Sequence, residues 1–371
     1  MFNGRVVFLE TTGSKPVTDA VFTQFERRFQ TRKQENPNLQ IIEVSRPAVT
    51  RTIFPNGNPE ITIGQIVNGL NTDEDSIRDS YAVFVHTQAQ PVDSEYLQFQ
   101  TQLDATFRAK PYRLLLVFLY EPFGRSDTQK YSRTSAMGQS FILGAKKLYD
   151  VRDCLLIEPH SLYVKDNLWP PADTVSTMEL FANHMIDNII SKVGKKHVAL
   201  VFPDTGAAYR FEHLIDLLGL APHQVAFFVK RRYDNTQRID CSAVIGNVTG
   251  KTCILIDDEC ASSGTIIRIA NALSKRRPTG IWFYATHPVL EMDAASESPE
   301  SWTILIPRLE ASPIDHFVFS DTIPIRHKLA GTTKIEIVSS AGLTAEAIWR
   351  LIFGQSLSSL RSLAAAREYA C

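Results

Sequence analysis

The chain has 371 residues, of which 44% are hydrophobic and 21% charged, the composition of a globular protein and the length of two ordinary domains rather than one core. Its net charge of −1 excludes a global field that would draw nucleic acid or an anionic membrane surface. The five cysteines (Cys154, Cys241, Cys253, Cys260 and Cys371) are odd in number and form no Cys-x-x-Cys pair, which fits a reducing compartment better than a disulfide framework.

The first residues, "MFNGRVVFLETTGSKP", carry only a short apolar stretch and no small-residue cleavage pattern, so no signal peptide is read and a soluble, cytoplasmic protein is expected. Strands are predicted at "RVVFLE", "LQIIEV", "YAVFVHT" and "RLLLVFLY". The longest apolar run, Leu114–Tyr120, is far too short to span a bilayer. A helical pattern follows in "SAMGQSFILGAKKLY" and a strand in "DCLLIEP". The segment "VKDNLWPPAD", with two prolines after a strand, reads as a domain boundary, giving domains 1–165 and 166–371. Beyond it come the helix "STMELFANHMIDNIISKV" and the strands "HVALVFPD", "VAFFVKRR" and "CILIDDE". The helix "SGTIIRIANALSKRR" and the strands "IWFYATH", "HFVFSDT" and "KIEIVSS" complete the series. Near-continuous apolar strands separated by helices predict an α/β protein whose two domains are each a mainly parallel sheet flanked by helices. Ligands of such sheets sit beyond the carboxyl ends of the strands, so the residues just after each strand carry the functional interest.

One strand end stands out. In "KTCILIDDECASSGTIIRIANAL" an apolar run ends in Asp257, Asp258 and Glu259, and the loop Ala261, Ser262, Ser263, Gly264 and Thr265 opens a helix. Free backbone N–H groups, small side chains and the positive end of the helix dipole make a phosphate cradle. Carboxylates at the strand tip accept the hydrogen bonds of vicinal ribose hydroxyls. Together they describe a sugar-phosphate site. An acidic strand end followed by a serine N-cap is the plainer reading of the same residues. Cys260 lies in the loop, but nothing near it in sequence marks a nucleophile, and His287 after the next strand reads as structural.

The stretch "CILIDDECASSGT" resembles the phosphoribosyl-diphosphate fingerprint of type I phosphoribosyltransferases and ribose-phosphate diphosphokinases. It keeps both acids, the Gly and the final Thr, with Ala261 where the family has a loop aspartate and Ser262 where it has Thr. Other stretches resemble the diphosphokinases in particular, in order over about residues 50 to 360. "FPNGNPEITI" supplies Phe54 and Glu60, and "FGRSDTQKYSRTS" supplies Arg125, Asp127, Ser132 and Arg133, with Ser126 where the family has Gln. "IEPHS" supplies His160, "FPDTGAAYR" supplies Asp204 and Gly206, and "VKRRYDN" supplies Lys230 and Arg232. "SDTIPI" and "LTAEAIWRLIFGQSLSSL" close the match.

The resemblance implies transfer of the diphosphoryl group of ATP to ribose 5-phosphate with Mg²⁺ as cofactor. It implies Lys230 and Arg232 as catalytic cations, and Phe54, Glu60, Arg125 and Asp127 as ATP-binding residues. Asp257, Asp258, Ser262, Ser263, Gly264 and Thr265 become the ribose-phosphate site, and His160 and Asp204 the metal residues. It implies a homo-oligomer as well, with neither nucleic acid nor membrane as partner. Ala261, Ser126 and the two extra residues before Glu60 leave two alternatives. One is the same transfer to a 5-substituted acceptor such as ADP-ribose. The other is a non-catalytic relative that regulates an active synthetase. A plain phosphoribosyltransferase would need neither a second domain nor the Arg125 segment.

Overall fold

The computed structural model describes residues 2–370 apart from 68–69, 72–75, 89–90, 127–132, 134, 162–170, 233–238, 262, 291–300 and 326–331; the side chains of 66–67, 70–71, 139, 229–232, 239–243 and 301–304 also lie outside what is described. The chain forms two compact units: residues 1–175 with 341–358, and residues 176–340 with 359–371.

The first unit is built on β1 (Arg5–Glu10), β2 (Glu43–Ser45), β7 (Tyr81–Thr87), β8 (Arg113–Tyr120), β9 (Asp153–Ile157) and β10 (Asp173–Val175). They form one sheet in the order β10-β9-β8-β7-β1-β2, with every pairing parallel. All seven residues of β7 are buried, as expected of a strand covered on both faces. On one face Phe99, from the helix Val92–Arg108, stacks on Phe84 at 5.4 Å between ring centroids. Phe141, from the helix Met137–Leu148, meets Phe99 at 5.2 Å. Two small antiparallel ribbons lie between β2 and β7 in the chain: β3 (Val49–Ile53) with β4 (Pro59–Ile63), and β5 (Ile66–Val67) with β6 (Leu70–Asn71).

The boundary differs from the expected 165/166 for a local reason. Asp173–Val175, just past the two prolines, pairs with Leu155–Ile157 and so remains part of the first sheet. The second domain is also not contiguous. The helix Ala341–Ile352 belongs to the first unit, where Trp349 packs on Phe25 at 5.6 Å. Buried Glu346 on that helix pairs with Arg32 at 2.8 Å and Arg350 at 2.9 Å. Phe25 lies on the 21-residue helix Lys15–Glu35, whose buried Val17, Val21, Phe25 and Phe29 recur every fourth residue along one face.

The second unit holds β11 (Val198–Phe202), β12 (Val225–Arg232), β13 (Ile239–Ile245), β14 (Thr252–Glu259), β15 (Gly280–His287), β16 (His316–Ser320) and β17 (Ile335–Val338). Their order is β13-β12-β11-β14-β15-β16-β17. All pairs are parallel except β12 with β13. The "STMELF" pattern becomes a helix from Met178 to Met185 that passes through a π-helical stretch, Ile186–Ile190. The helix Gly264–Ser274 follows β14 and buries Ile266, Ile269, Ala270 and Leu273. Among the described residues, no helix is long and apolar enough to cross a membrane.

Candidate active site

The parallel register of the second sheet decides what meets at its carboxyl edge. Leu200 is level with Ile254 and Val201 with Leu255, while Phe202 is level with Phe227. The residues just after β11 and at the ends of β12 and β14 therefore emerge side by side. They are Asp204, Lys230 with Arg232, and Asp257 with Asp258.

Asp204 caps the short helix Thr205–Arg210, its Oδ1 accepting from the Ala207 N–H at 2.8 Å. Gly206 fits there because a Cβ would meet that oxygen at 3.2 Å. At the other end of the same helix Arg210 reaches Asp258, Nη1 to Oδ1 2.6 Å, with the carboxylate almost wholly enclosed. Asp257 accepts from the backbone N–H of Asp258 at 3.0 Å. Burial pushes its carboxyl well above the ordinary range, and the neighbouring charges of Asp258 and Asp204 push it further in the same direction. The two acids thus differ in surroundings: Asp258 is paired with Arg210, whereas burial and neighbouring carboxylates act on Asp257 in the direction that disfavours its charge.

The loop after β14 is pinned at its base. The Cys260 N–H donates to His287 O at 2.9 Å, and Cys260 O accepts from Leu290 N–H at 2.7 Å. Cys260 is buried and forms no disulfide among the described residues. His287 is buried too, its Nδ1 3.0 Å from the Thr322 hydroxyl, which gives it the structural role expected. Ser263 follows in the left-handed region (φ 56°) as the N-cap of the helix Gly264–Ser274. Its hydroxyl is buried and has no hydrogen-bond partner among the described residues. A hydroxyl in that state is an unfilled donor and acceptor at the positive end of a helix. Thr265 is half-buried beside it, while Ser262 lies outside the described residues.

Lys230 and Arg232 end β12, where the pairing with β13 shifts register between Val229 and Arg231. Arg231 and Arg232 remain opposite Asp240 and Ile239. The side chains of all four lie outside the described residues.

Five sequence-predicted residues belong to the first unit: Phe54, Glu60, Arg125, Asp127 and His160. The "FPNGNPE" segment is the turn of the β3–β4 hairpin, with Gly57 at φ 84°. The Gly57 N–H donates to Phe54 O at 2.8 Å. The two extra residues before Glu60 are thus the turn itself. Glu60 is exposed opposite Thr52, and Phe54 is 44% exposed. Arg125 is exposed after β8, and Asp127 lies outside the described residues. Ser126 is a local tether, because its Oγ donates to Ser135 O at 3.0 Å and accepts from the Met137 N–H at 3.2 Å. His160 is half-buried after β9, and its backbone N–H donates to Glu121 Oε1 at 2.7 Å. Arg210 and Glu121 are the two residues that sequence patterning missed. A basic residue at the far end of the short helix that Asp204 caps was the only signal for Arg210.

The profile of the phosphoribosyl synthetase-associated domain matches residues 235–361. A ribose-phosphate pyrophosphokinase of Burkholderia pseudomallei is 26% identical over 328 residues, covering 88% of this chain and 93% of that protein. Ribose-phosphate pyrophosphokinase 1 of Streptococcus pyogenes serotype M3 is 29% identical over 289 residues, covering 77% and 84%. Among solved structures, the phosphoribosylpyrophosphate synthetase of Mycobacterium smegmatis superposes with a TM-score of 0.74 at 21% identity, covering 94% of this chain and 99% of that one. The architecture is therefore that of two phosphoribosyltransferase-like α/β units. Over most of its length the chain is similar to these ribose-phosphate pyrophosphokinases, and its fold is that of the solved synthetase.

Proposed function

We propose that the protein is a ribose-phosphate diphosphokinase, transferring the diphosphoryl group of ATP to the C1 hydroxyl of ribose 5-phosphate. The observation that carries this reading is the β14 edge: two adjacent aspartates, one of them enclosed against Arg210, followed by a buried serine hydroxyl at a helix N-terminus with no hydrogen-bond partner among the described residues. Asp257 and Asp258 hold the ribose hydroxyls. Ser263, Gly264 and Thr265, with Ser262 beside them, receive the 5-phosphate on hydroxyl and backbone N–H groups. Phe54, Glu60, Arg125 and Asp127 are the ATP-binding residues of this reading. The C1 oxygen forms a bond to the β-phosphorus of ATP while the bond from that phosphorus to the α–β bridging oxygen breaks. AMP departs, and the hydroxyl proton leaves to solvent.

The reaction needs in-line placement and neutralisation of charge on the transferred group. Lys230 and Arg232 supply that charge. The residues also suit a hard divalent cation such as Mg²⁺. Burial and the neighbouring Asp258 and Asp204 push the Asp257 carboxyl up, an effect that a bound cation would offset. Asp204 would hold it, with His160 as the second residue of the proposal. When bound, Mg²⁺ would neutralise phosphate oxygens. The proposal extends to a homo-oligomeric assembly.

The test is AMP release from ATP and Mg²⁺ with ribose 5-phosphate, with ADP-ribose, and with no acceptor. Release with ribose 5-phosphate is expected. Release only with ADP-ribose would assign Ala261 to acceptor choice. Release with neither, together with stimulation of an active synthetase on mixing, would replace the proposal with a regulatory role.

A further inference from the structure

Glu121 follows β8 and is a carboxylate only 1% exposed. Burying an ionised carboxylate is unfavourable unless strong donors meet it, so its placement calls for a reason. β8 and β9 are neighbours in parallel register, Phe118 level with Leu156, so the loops that leave them run side by side. One loop carries Arg125 and the other His160. Glu121 touches both. Its Oε1 accepts the His160 backbone N–H at 2.7 Å, a short, charge-assisted hydrogen bond. The same oxygen lies 2.6 Å from where a Cβ on Gly124 would stand. A side chain at residue 124 would displace the carboxylate that is tucked against it. The rest of the Arg125 loop is anchored independently. Phe123 sits at φ 60° with its ring against Phe141 and Tyr96, and its carbonyl accepts from the Ser126 N–H at 2.7 Å.

We propose that Glu121 is a positioning residue that locks the His160 loop to the Arg125 loop, setting the candidate metal residue and the candidate ATP residue in one fixed arrangement. It acts through backbone and packing and touches no substrate. This proposal rests on the diphosphokinase reading for its kinetic consequence and on geometry alone for the lock.

The experiment compares wild type with Glu121→Ala, Glu121→Gln and Gly124→Ala in two arms. The first follows amide hydrogen exchange in the segment spanning residues 158–161. Slow exchange is expected in wild type and Glu121→Gln, whose amide oxygen still accepts the His160 N–H, and exchange at least tenfold faster in Glu121→Ala and Gly124→Ala. The second arm measures kcat and the KM for each substrate. Glu121→Ala and Gly124→Ala should lose roughly 10- to 100-fold in kcat, as outer-shell partners of site residues do. The KM for ribose 5-phosphate should stay within about twofold, and Glu121→Gln should recover activity to within about threefold. Equal exchange rates in all four proteins would overturn the proposal. So would an equal loss in Glu121→Gln and Glu121→Ala, or a loss matched by a rise in the sugar KM. Should Glu121→Ala fail to fold, Glu121→Gln and Gly124→Ala decide. If wild type releases no AMP with any acceptor, the diphosphokinase reading fails on its own and the exchange arm still judges the lock.

Discussion

Two loops in this molecule share one pattern and differ in state. After β14 the chain passes through Cys260, Ala261, two serines and a glycine into the helix Gly264–Ser274. After β1 it passes through Thr11, Thr12, Gly13 and Ser14 into the helix Lys15–Glu35. Each is a strand, a small hydroxyl-rich loop and a helix N-terminus, the local recipe for a phosphate cradle. The β1 loop is already filled. Glu95 Oε1 accepts the Gly13 N–H at 3.1 Å, and Gln98 Nε2 donates to the Thr12 hydroxyl at 2.7 Å. The Ser14 Oγ accepts the Thr87 N–H at 2.9 Å and lies 2.7 Å from the Thr11 hydroxyl. A carboxylate of the same unit stands where an anion would bind. The β14 loop instead keeps the Ser263 hydroxyl buried and unpartnered. What separates a binding loop from a structural one is thus the accounting of donors and acceptors, and residue types alone do not settle it.

The largest effect should come from the acid that supports the β14 loop. Asp258→Ala removes a sugar ligand and leaves Arg210 without its buried partner. Activity should fall by about 10²-fold or more, and the second unit should lose about 3–5 kcal/mol of stability. Chemical denaturation alongside AMP release checks both. An active, stable variant would break the assignment of that edge as the site.

Next comes the plugged loop. A Cβ on Gly13 would stand 2.8 Å from the Glu95 carboxyl carbon. Gly13→Ala should therefore cost about 1–3 kcal/mol through overpacking, with the KM of both substrates unchanged. Inactivation at wild-type stability would show that the β1 loop serves the reaction after all.

The two serines sharpen the contrast further. Ser263→Ala should raise the KM for ribose 5-phosphate about tenfold, one hydrogen bond to a charged group, while its melting temperature stays level because the hydroxyl has no partner to lose. Ser14→Ala should do the reverse, destabilising by about 1 kcal/mol with unaltered KM. A double readout of melting temperature and KM on both variants tests the pair.

Much of this was legible in the sequence, and the failures have physical causes. β1, β7, β8 and β14 were read with the bounds the structure gives or within a residue, because each is an apolar run buried on both faces. The helix Lys15–Glu35 was not read, since its solvent face dilutes an apolar stripe of four positions. The β3–β4 hairpin was not read either, although Asn56-Gly57 is the dipeptide that marks a tight turn. The paired aspartates and the helix-opening loop could be found from residue types at a strand end. Arg210 and Glu121 could not, because their importance comes from contacts made across the sheet edge, and Asp257's raised pKa comes from burial that no local pattern encodes.

The smallest expected effect bears on what seals the filled loop. His86, fully enclosed at the end of β7, lies 3.3 Å through Nδ1 from the Thr11 hydroxyl, and burial lowers its pKa from 6.5 to about 3. A histidine depressed in the folded state contributes stability that is complete above its unfolded pKa and is lost as pH falls toward the folded one. The first unit should hold its stability from pH 8 to about 6.5 and lose about 1 kcal/mol by pH 5.5, one unit below the unfolded pKa. His86→Gln, which cannot be charged, should flatten this slope whatever its absolute stability. Urea midpoints at half-unit pH intervals for wild type and His86→Gln would decide. An unchanged slope in the variant would mean that acid acts elsewhere, and that the sealed loop does not owe its closure to a neutral imidazole.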